Sequence, residues 1–225
     1  MSANTELNLS RRSLLASFAC GTTMFLPKPG FALSLDSEPA ENYGNLLFDD
    51  SENGLFQIYK DDNVLTYIDL GNGEKTIAFI ATDQQSMTIK EPDGTQRECF
   101  VDSLGDIYID GALAIEACTE SPTLTRSVPS GYVYLTRYRT NTVVTGSVAS
   151  LTLTLLGLVP GMAGAAAIAG AILAIQGLSG EVIYIEITQY YHPNTYYIYE
   201  VTRLYRNSNY TGLINTIEKG PFPPV

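Results

Sequence analysis

Few residues in this sequence have the types and spacing that enzymes use for catalysis. The 225-residue chain holds one histidine, His192, and Pro193 directly after it predicts a position in a turn. A Ser–His–Asp triad would depend on this histidine, and the Gly-x-Ser-x-Gly elbow that presents such a serine does not occur in the chain. We therefore interpret His192 as exposed polar surface and predict no catalytic residues.

Carboxylates are abundant, so their number alone does not exclude a glycosidase-like pair. Asp106 and Asp110 flank residues 107–109 of a predicted strand, a pattern typical of solvated charges at strand ends. The acid-rich segment 49–54 lacks the spacing of an EF-hand loop, and one histidine with few cysteines supplies too few ligands for a zinc site. The sequence predicts a non-enzymatic protein with no cofactor and no metal.

The most unusual feature is an uncharged stretch of 41 residues between Arg139 and Glu181. Pro160 and Gly161 divide this stretch, because proline removes a helix donor and clashes with the preceding turn. The two arms on either side predict an apolar helical hairpin over residues 146–178.

The two arms differ in pattern. The first, Gly146–Leu158, carries Ser147, Ser150 and Thr154 at spacings of three and four, which is one polar stripe on an apolar helix. Its alternating threonines and leucines leave a strand open as the alternative. The second, Gly161–Gly177, is nearly all Ala, Gly, Ile and Leu, which predicts a helix that needs cover on every side.

Neither arm has the roughly 20 apolar residues that an ordinary membrane-spanning helix needs. Small residues recur four apart at Ala166, Gly170 and Ala174, a spacing that lets two helix backbones approach closely in membranes and in soluble cores. Two interpretations follow: a buried hairpin beneath a sheet, or a membrane-inserting element.

Charge divides the chain into two halves. Residues 35–120 hold 19 acidic and 4 basic residues, a net charge of −15, whereas residues 121–225 hold 4 acidic and 6 basic residues, a net charge of +2. This asymmetry predicts an acidic β-rich domain over 35–120 and a β-sheet domain over 131–225, joined by a Pro-, Ser- and Thr-rich linker at 121–130. The acidic half argues against nucleic acid as a partner, because phosphate neutralisation dominates that binding.

Residues 1–34 have the order of an export signal: a polar stretch, a charged pair, an apolar run and a small-residue site. The charged pair and its neighbours resemble the twin-arginine signals of prokaryotes. The residues that carry this resemblance are Ser10, Arg11, Arg12, Leu14 and Leu15. The resemblance implies export across the cytoplasmic membrane, to the cell envelope or the extracellular space.

Cys99 and Cys118 are the cysteines that remain beyond this signal. In an oxidising compartment an isolated pair predicts a disulfide, whose loop of about 19 residues would stabilise the fold by roughly 3 kcal/mol in the chain-entropy model. Two buried free thiols are the alternative.

Alternating apolar and polar residues predict strands in both halves. Residues 54–110 have the pattern of an antiparallel β-meander, punctuated by Asn-Gly and Asp-Gly pairs. We expect the hairpin to pack on a strand face formed by Ile183, Ile185 and Ile187. The predicted fold class is α+β, mainly β: an N-terminal antiparallel meander and a C-terminal antiparallel sheet with an inserted apolar helical hairpin.

Eleven of the 15 tyrosines lie between Tyr132 and Tyr210. Together with nearby arginines they have the composition of a protein interface or a membrane-interface belt, and cross-strand packing is the alternative. A period of two places Tyr132, Tyr134, Thr136 and Tyr138 on one strand face. The candidate membrane or interface residues are Leu151, Leu155, Gly161, Ala166, Gly170, Ala174, Tyr184, Tyr197, Tyr199 and Tyr205.

The last 95 residues combine a strand, an Ala/Gly-rich apolar segment and a Tyr-rich hairpin that closes on residues 205–211, YRNSNYT. This layout resembles small secreted bacterial proteins, some of them large bacteriocins of the geobacillin kind. We therefore predict a secreted, membrane-directed, bacteriocin-like protein whose acidic half masks or escorts the hairpin. The alternative is a structural or binding module of the cell envelope with the hairpin as permanent core. The partner is accordingly membrane lipid or an envelope component.

Overall fold

A computed structural model of the protein describes residues 43–118, 120 and 128–223, so the export-signal residues lie outside the described part. The described residues belong to one compact unit that spans Asn42–Val225. The strands are β1 (Asn45–Asp49), β2 (Phe56–Asp61), β3 (Val64–Asp69), β4 (Lys75–Ile80), β5 (Ser86–Lys90), β6 (Gln96–Val101), β7 (Ile107–Ile109), β8 (Ala112–Cys118), β9 (Val133–Asn141), β10 (Tyr184–Tyr191), β11 (Ile198–Tyr205) and β12 (Leu213–Phe222). The helices are α1 (Val148–Leu158) and α2 (Ala165–Ser179). The predicted fold class, α+β and mainly β, is confirmed.

The sheet is an antiparallel meander in which each strand pairs with the next one in the chain, from β1 to β12. Turn chemistry accounts for the short connections. Between β7 and β8, for example, Ile109 pairs with Ala112, and Asp110 and Gly111 have φ angles of +53° and +79°. Those angles are typical of the type I′ hairpin that an Asp-Gly pair favours.

β8 joins the two halves of the sheet, because it pairs with β7 on one side and with β9 on the other. Glu116 of β8 lies opposite Arg139 of β9. The described residues of the acidic half and of the C-terminal half thus share one sheet. The division into two domains stays a prediction, and most of its proposed linker, residues 121–127, lies outside the described part.

The central uncharged stretch forms the two helices of a hairpin, and its first arm is a helix rather than a strand. The Ser147 hydroxyl caps α1 by accepting a hydrogen bond from the Ser150 amide at 3.0 Å. Pro160 and Gly161 lie between the helices, as the sequence predicts. Gly180 ends α2 with a φ of +63°, the left-handed cap that glycine adopts without strain.

α1 packs on β3–β6, which are strands of the acidic half. Leu151, Leu153 and Leu155 of this helix are all buried, so the helix is covered on more than one side. The predicted isoleucine face of β10 belongs to the same hydrophobic cluster, together with inner-face residues from β2 to β11. The sheet therefore curls around the hairpin, which packs on strands of the acidic half as well as sharing a core with the predicted isoleucine face.

The predicted polar stripe of α1 faces the protein interior. The Ser150 hydroxyl is buried and donates a hydrogen bond to the Glu91 carboxylate, which follows β5. Thr154 is also buried, and its hydroxyl donates to the Ser150 carbonyl at 2.7 Å. These bonds satisfy the polar atoms and attach the start of the hairpin to the meander.

The predicted disulfide between Cys99 and Cys118 is not formed, and both are free thiols. Cys99 pairs with Ile109 of β7, which in turn pairs with Ala112 of β8. Cys118 lies at the other end of β8, roughly 20 Å from that level at about 3.3 Å per residue, whereas a disulfide joins Cα atoms less than about 7 Å apart. The prediction is wrong because strand register separates the two residues. Burial raises the pKa of the Cys99 thiol to about 12.

Leu155→Ala tests whether the hairpin is core. Because Leu155 is fully buried, we expect the free energy of unfolding to fall by about 3 kcal/mol, measured by urea denaturation followed by circular dichroism. Leu104→Ala is the matched control, since Leu104 is 76% exposed, and we expect a change within about 0.5 kcal/mol. Equal losses in both variants would contradict the assignment.

Candidate functional site

The apolar residues predicted as membrane or interface candidates do not form a surface. Leu151, Leu155 and Ala166 are buried in the core. Within the described residues, neither helix is long and apolar enough to cross a bilayer.

The row of small residues on α2 does not bring the two helices together along its length. A Cβ atom added at Gly170 would meet Asp50 at 3.9 Å and no atom of α1. Ala174, one turn further, is exposed. The spacing of Ala166, Gly170 and Ala174 therefore does not predict the helix contact here, because α2 turns this side towards the β1–β2 connection.

The tyrosine candidates of β10 and β11 lie on the side of the sheet away from the hairpin. Here the outer face means the side that carries Tyr184, Glu186, Thr188 and Tyr190 of β10, since its inner-face isoleucines belong to the core. Tyr205 and Tyr199 of β11 lie opposite the first and the last of these. Tyr197 is half-exposed and precedes β11.

A β-bulge divides the tyrosines of β9 between the two faces. Thr136 lies opposite Gln189, and Tyr134 lies opposite Tyr190, so Leu135 is an extra residue on this strand. An extra residue inverts the alternation that follows it. Tyr134 consequently lies on the outer face and Tyr138 on the inner face, and the prediction that they share a face is wrong.

The outer face is centred on Glu186, a buried carboxylate shared by three arginines. Arg139 donates to its Oε2 through Nε at 3.0 Å and through Nη2 at 2.8 Å. Arg137 and Arg203 approach the carboxylate from the flanking strands, with nitrogen–oxygen distances of 3.7 and 3.6 Å. Those distances bring charge stabilisation without a good hydrogen bond.

Tyrosines surround the exposed side of this charge cluster. The guanidinium of Arg139 lies over the ring of Tyr210, 4.4 Å from its centroid, in a cation–π contact. Tyr184 and Tyr205 contact Tyr210 edge to face, with centroids 6.2 and 5.9 Å away. Burial is the main reason why the pKa of Tyr210 is raised to about 12, so its hydroxyl stays neutral at physiological pH.

Sequence reasoning missed Glu186 as the centre of this face. The sequence does indicate a charged face, because a period of two places Arg137 and Arg139 on one side of β9. The same period places Glu186 beside Tyr184 on β10. The strand register that brings the charges together could not be read from the sequence.

A cleft of about 870 Å³ opens on the inner side, where the turn between the helices meets residues of β1–β4, β9 and β11. Apolar side chains line most of it: Leu47, Phe48, Ile58, Leu65, Ile80, Leu135, Leu156, Val159, Pro160, Met162, Tyr196 and Ile198. Lys60, Asp62, Asn63 and Gln84 are its polar residues. The candidate Gly161 lies in this turn with a φ of +69°, against Ile198. The volume and the lining are typical of a ligand site.

A buried carboxylate holds the turn that lines this cleft. Glu200 of β11 is 1% exposed and accepts a hydrogen bond from the Gly164 amide at 2.8 Å. Gln189 of β10 donates to Glu200 Oε1 and to the Pro160 carbonyl, both at 3.2 Å. A Cβ atom at position 164 would lie 2.2 Å from Glu200 Oε2, so the contact requires glycine. Lys219 of β12 is the cross-strand partner of Glu200.

Burial raises the pKa of Glu200 to about 7, and hydrogen bonds from Gln189 and from the Gly164 and Ala163 amides partly offset that effect. A pKa near 7 suits proton transfer, but the carboxyl is closed off by the turn and does not line the cleft. Its role in this arrangement is to hold the turn. No group of three or more metal-ligating side chains occurs among the described residues.

Glu200→Gln tests the effect of this carboxyl on stability. A carboxyl whose pKa is higher in the folded protein stabilises the fold fully below its ordinary pKa of 4.5, and this stabilisation is lost as pH rises through about 7. We expect the unfolding free energy of the wild type to fall by about 2 kcal/mol more than that of Glu200→Gln between pH 5 and pH 8. Glu52→Gln, in an exposed turn, is the control and should follow the wild type. Parallel pH profiles for wild type and Glu200→Gln would refute the assignment.

The chain matches no protein-family model. It likewise has no significant match among curated proteins or among solved structures. A function for it is therefore inferred from the geometry of the cleft and the outer face.

Proposed function

We propose that the protein is an exported, non-enzymatic binding module of the cell envelope that takes an extended apolar peptide in the cleft beside β1. The observation that carries this proposal is the cleft itself, about 870 Å³ in volume and lined mainly by apolar side chains. Ligand sites commonly have such volumes and linings. The location in the envelope rests on the export signal predicted from the sequence.

The position of β1 favours a peptide as the occupant. Within the described residues β1 is the end of the sheet and pairs on one side only, with β2. Its residues Leu46 and Leu47 are 47% and 50% exposed, which is unusual for an edge strand that stays uncovered. Leu47 and Phe48 also line the cleft. A strand added beside β1 would place alternate side chains in the cleft while its backbone pairs with the edge.

The negative charge of the acidic half favours a peptide that carries basic residues next to its apolar residues. Residues 43–118 hold 15 acidic and 4 basic residues, a net charge of −11. Asp49 ends β1, Asp61 ends its partner strand β2, and Asp62 lies in the turn that follows. A basic peptide would therefore be attracted to this end of the protein.

Membrane-directed, bacteriocin-like activity stays a prediction, and the burial of the hairpin supports the binding module more strongly. Leu151 and Leu155 belong to the same cluster as the inner-face residues of the sheet. Releasing the hairpin into a membrane would expose that cluster and break the bonds of Glu91 and Glu200 to it. The hairpin is accordingly proposed as permanent core, and the acidic half as the surface on which it lies.

Binding of a labelled seven-residue peptide of alternating lysine and leucine tests the proposal. We expect saturable binding by fluorescence anisotropy at physiological salt. Leu47→Ser should weaken it about tenfold, because a half-exposed leucine would lose its apolar contact with the peptide. Leu104→Ser is the control, since Leu104 is exposed and does not line the cleft.

A second peptide of equal charge, with proline in place of the central lysine and one lysine added at its C-terminus, separates strand pairing from simple charge attraction. Proline lacks the backbone donor that pairing needs, so this peptide should bind more weakly. Equal binding of the two peptides, or no effect of Leu47→Ser, would refute the proposed site.

A further inference from the structure

The outer face carries charged residues in register across four strands. Glu116 lies opposite Arg139, Arg139 opposite Glu186, and Glu186 opposite Arg203. Arg139 makes both of its hydrogen bonds to a single oxygen of Glu186. Arg137, whose nearest approach to that carboxylate is 3.7 Å, is left outside hydrogen-bond distance.

Two buried donors on this face have no acceptor in the described part of the chain. Arg137 Nε and Thr188 Oγ1 are both buried without a hydrogen-bond partner among those residues. The Thr188 residue is 0% exposed, and the Arg137 side chain is 11% exposed. Folded proteins satisfy nearly all buried polar atoms, and a guanidinium N–H is among the strongest donors that a chain has.

The two donors are neighbours on adjacent strands. Arg137 of β9 lies directly opposite Thr188 of β10, and Val201 of β11 lies on the other side of Thr188. Opposite residues of an antiparallel pair have Cβ atoms about 5 Å apart, so one acceptor group can reach both donors. The positive charge of Arg137 selects an anion over a neutral acceptor.

We propose that the outer face binds an oxyanion, a carboxylate or a phosphate group, which accepts hydrogen bonds from Arg137 Nε and Thr188 Oγ1. The guanidinium of Arg203, which approaches Glu186 from the opposite strand, adds positive charge to this site. The site is separate from the cleft, because it lies on the other side of the sheet from the hairpin. Glu186 limits the affinity, since its own negative charge lies beside the bound anion.

Thermal unfolding of the full chain with inorganic phosphate, and separately with acetate, tests this site against chloride at matched ionic strength. We expect at least one oxyanion to raise Tm saturably, by about 3 to 6 °C at ten times its Kd. The preferred ion identifies the group as phosphate or carboxylate. Thr188→Val removes the hydroxyl while keeping the side-chain shape, so it should fold as well as the wild type and bind the oxyanion about tenfold more weakly.

Arg206→Gln is the control, because Arg206 forms an exposed ion pair with Glu181 at 3.3 Å and does not contact Glu186. It should retain the wild-type response. Glu186→Gln removes the competing charge and should strengthen oxyanion binding. If neither ion changes Tm beyond chloride, or if Thr188→Val responds like the wild type, the proposal is overturned and water is the partner of the two donors.

Discussion

The structure depends on one constraint: two apolar helices in the middle of the chain must bury most of their surface. The 41 residues between Arg139 and Glu181 carry no charge, so neither helix has a charged face to present to water. A sheet of only the C-terminal strands would cover one side of the hairpin. The acidic meander covers a further side of the hairpin, because β3–β6 lie against α1 and add their inner-face residues to the same core.

Polar contacts then fix the position of the hairpin against the sheet. Glu91 holds the Ser150 end of α1, and Glu200 holds the turn before α2 at Gly164. Each carboxylate lies on a different half of the sheet, so the hairpin connects the halves as well as filling the space between them. The cleft lies beside the turn that Glu200 holds, and Leu47 and Phe48 of β1 line its other side.

The features predicted correctly from the sequence are those that depend on neighbouring residues along the chain. Asp-Gly turns, the proline between the helices and the isoleucine face of β10 all follow from short-range spacing, and the structure contains each of them. The predictions that failed concern residues whose positions depend on the register between paired strands. The bulge at Leu135 moves Tyr134 to the outer face, and the meander separates Cys99 from Cys118 along the strands. The outer-face charges could be assigned to strand faces from sequence, but their meeting at Glu186 requires three strands in a register that no single segment specifies.

The most direct test of the permanent-core account is amide hydrogen exchange of α1 and α2, measured by mass spectrometry with and without anionic lipid vesicles. Core helices exchange only through large-scale unfolding, so their protection reports whether the hairpin leaves the sheet. The account predicts strong protection over Val148–Leu158 and over the buried part of α2, unchanged when vesicles are added. Loss of that protection with vesicles, while β3–β6 stay protected, would contradict it and favour a hairpin that enters the membrane.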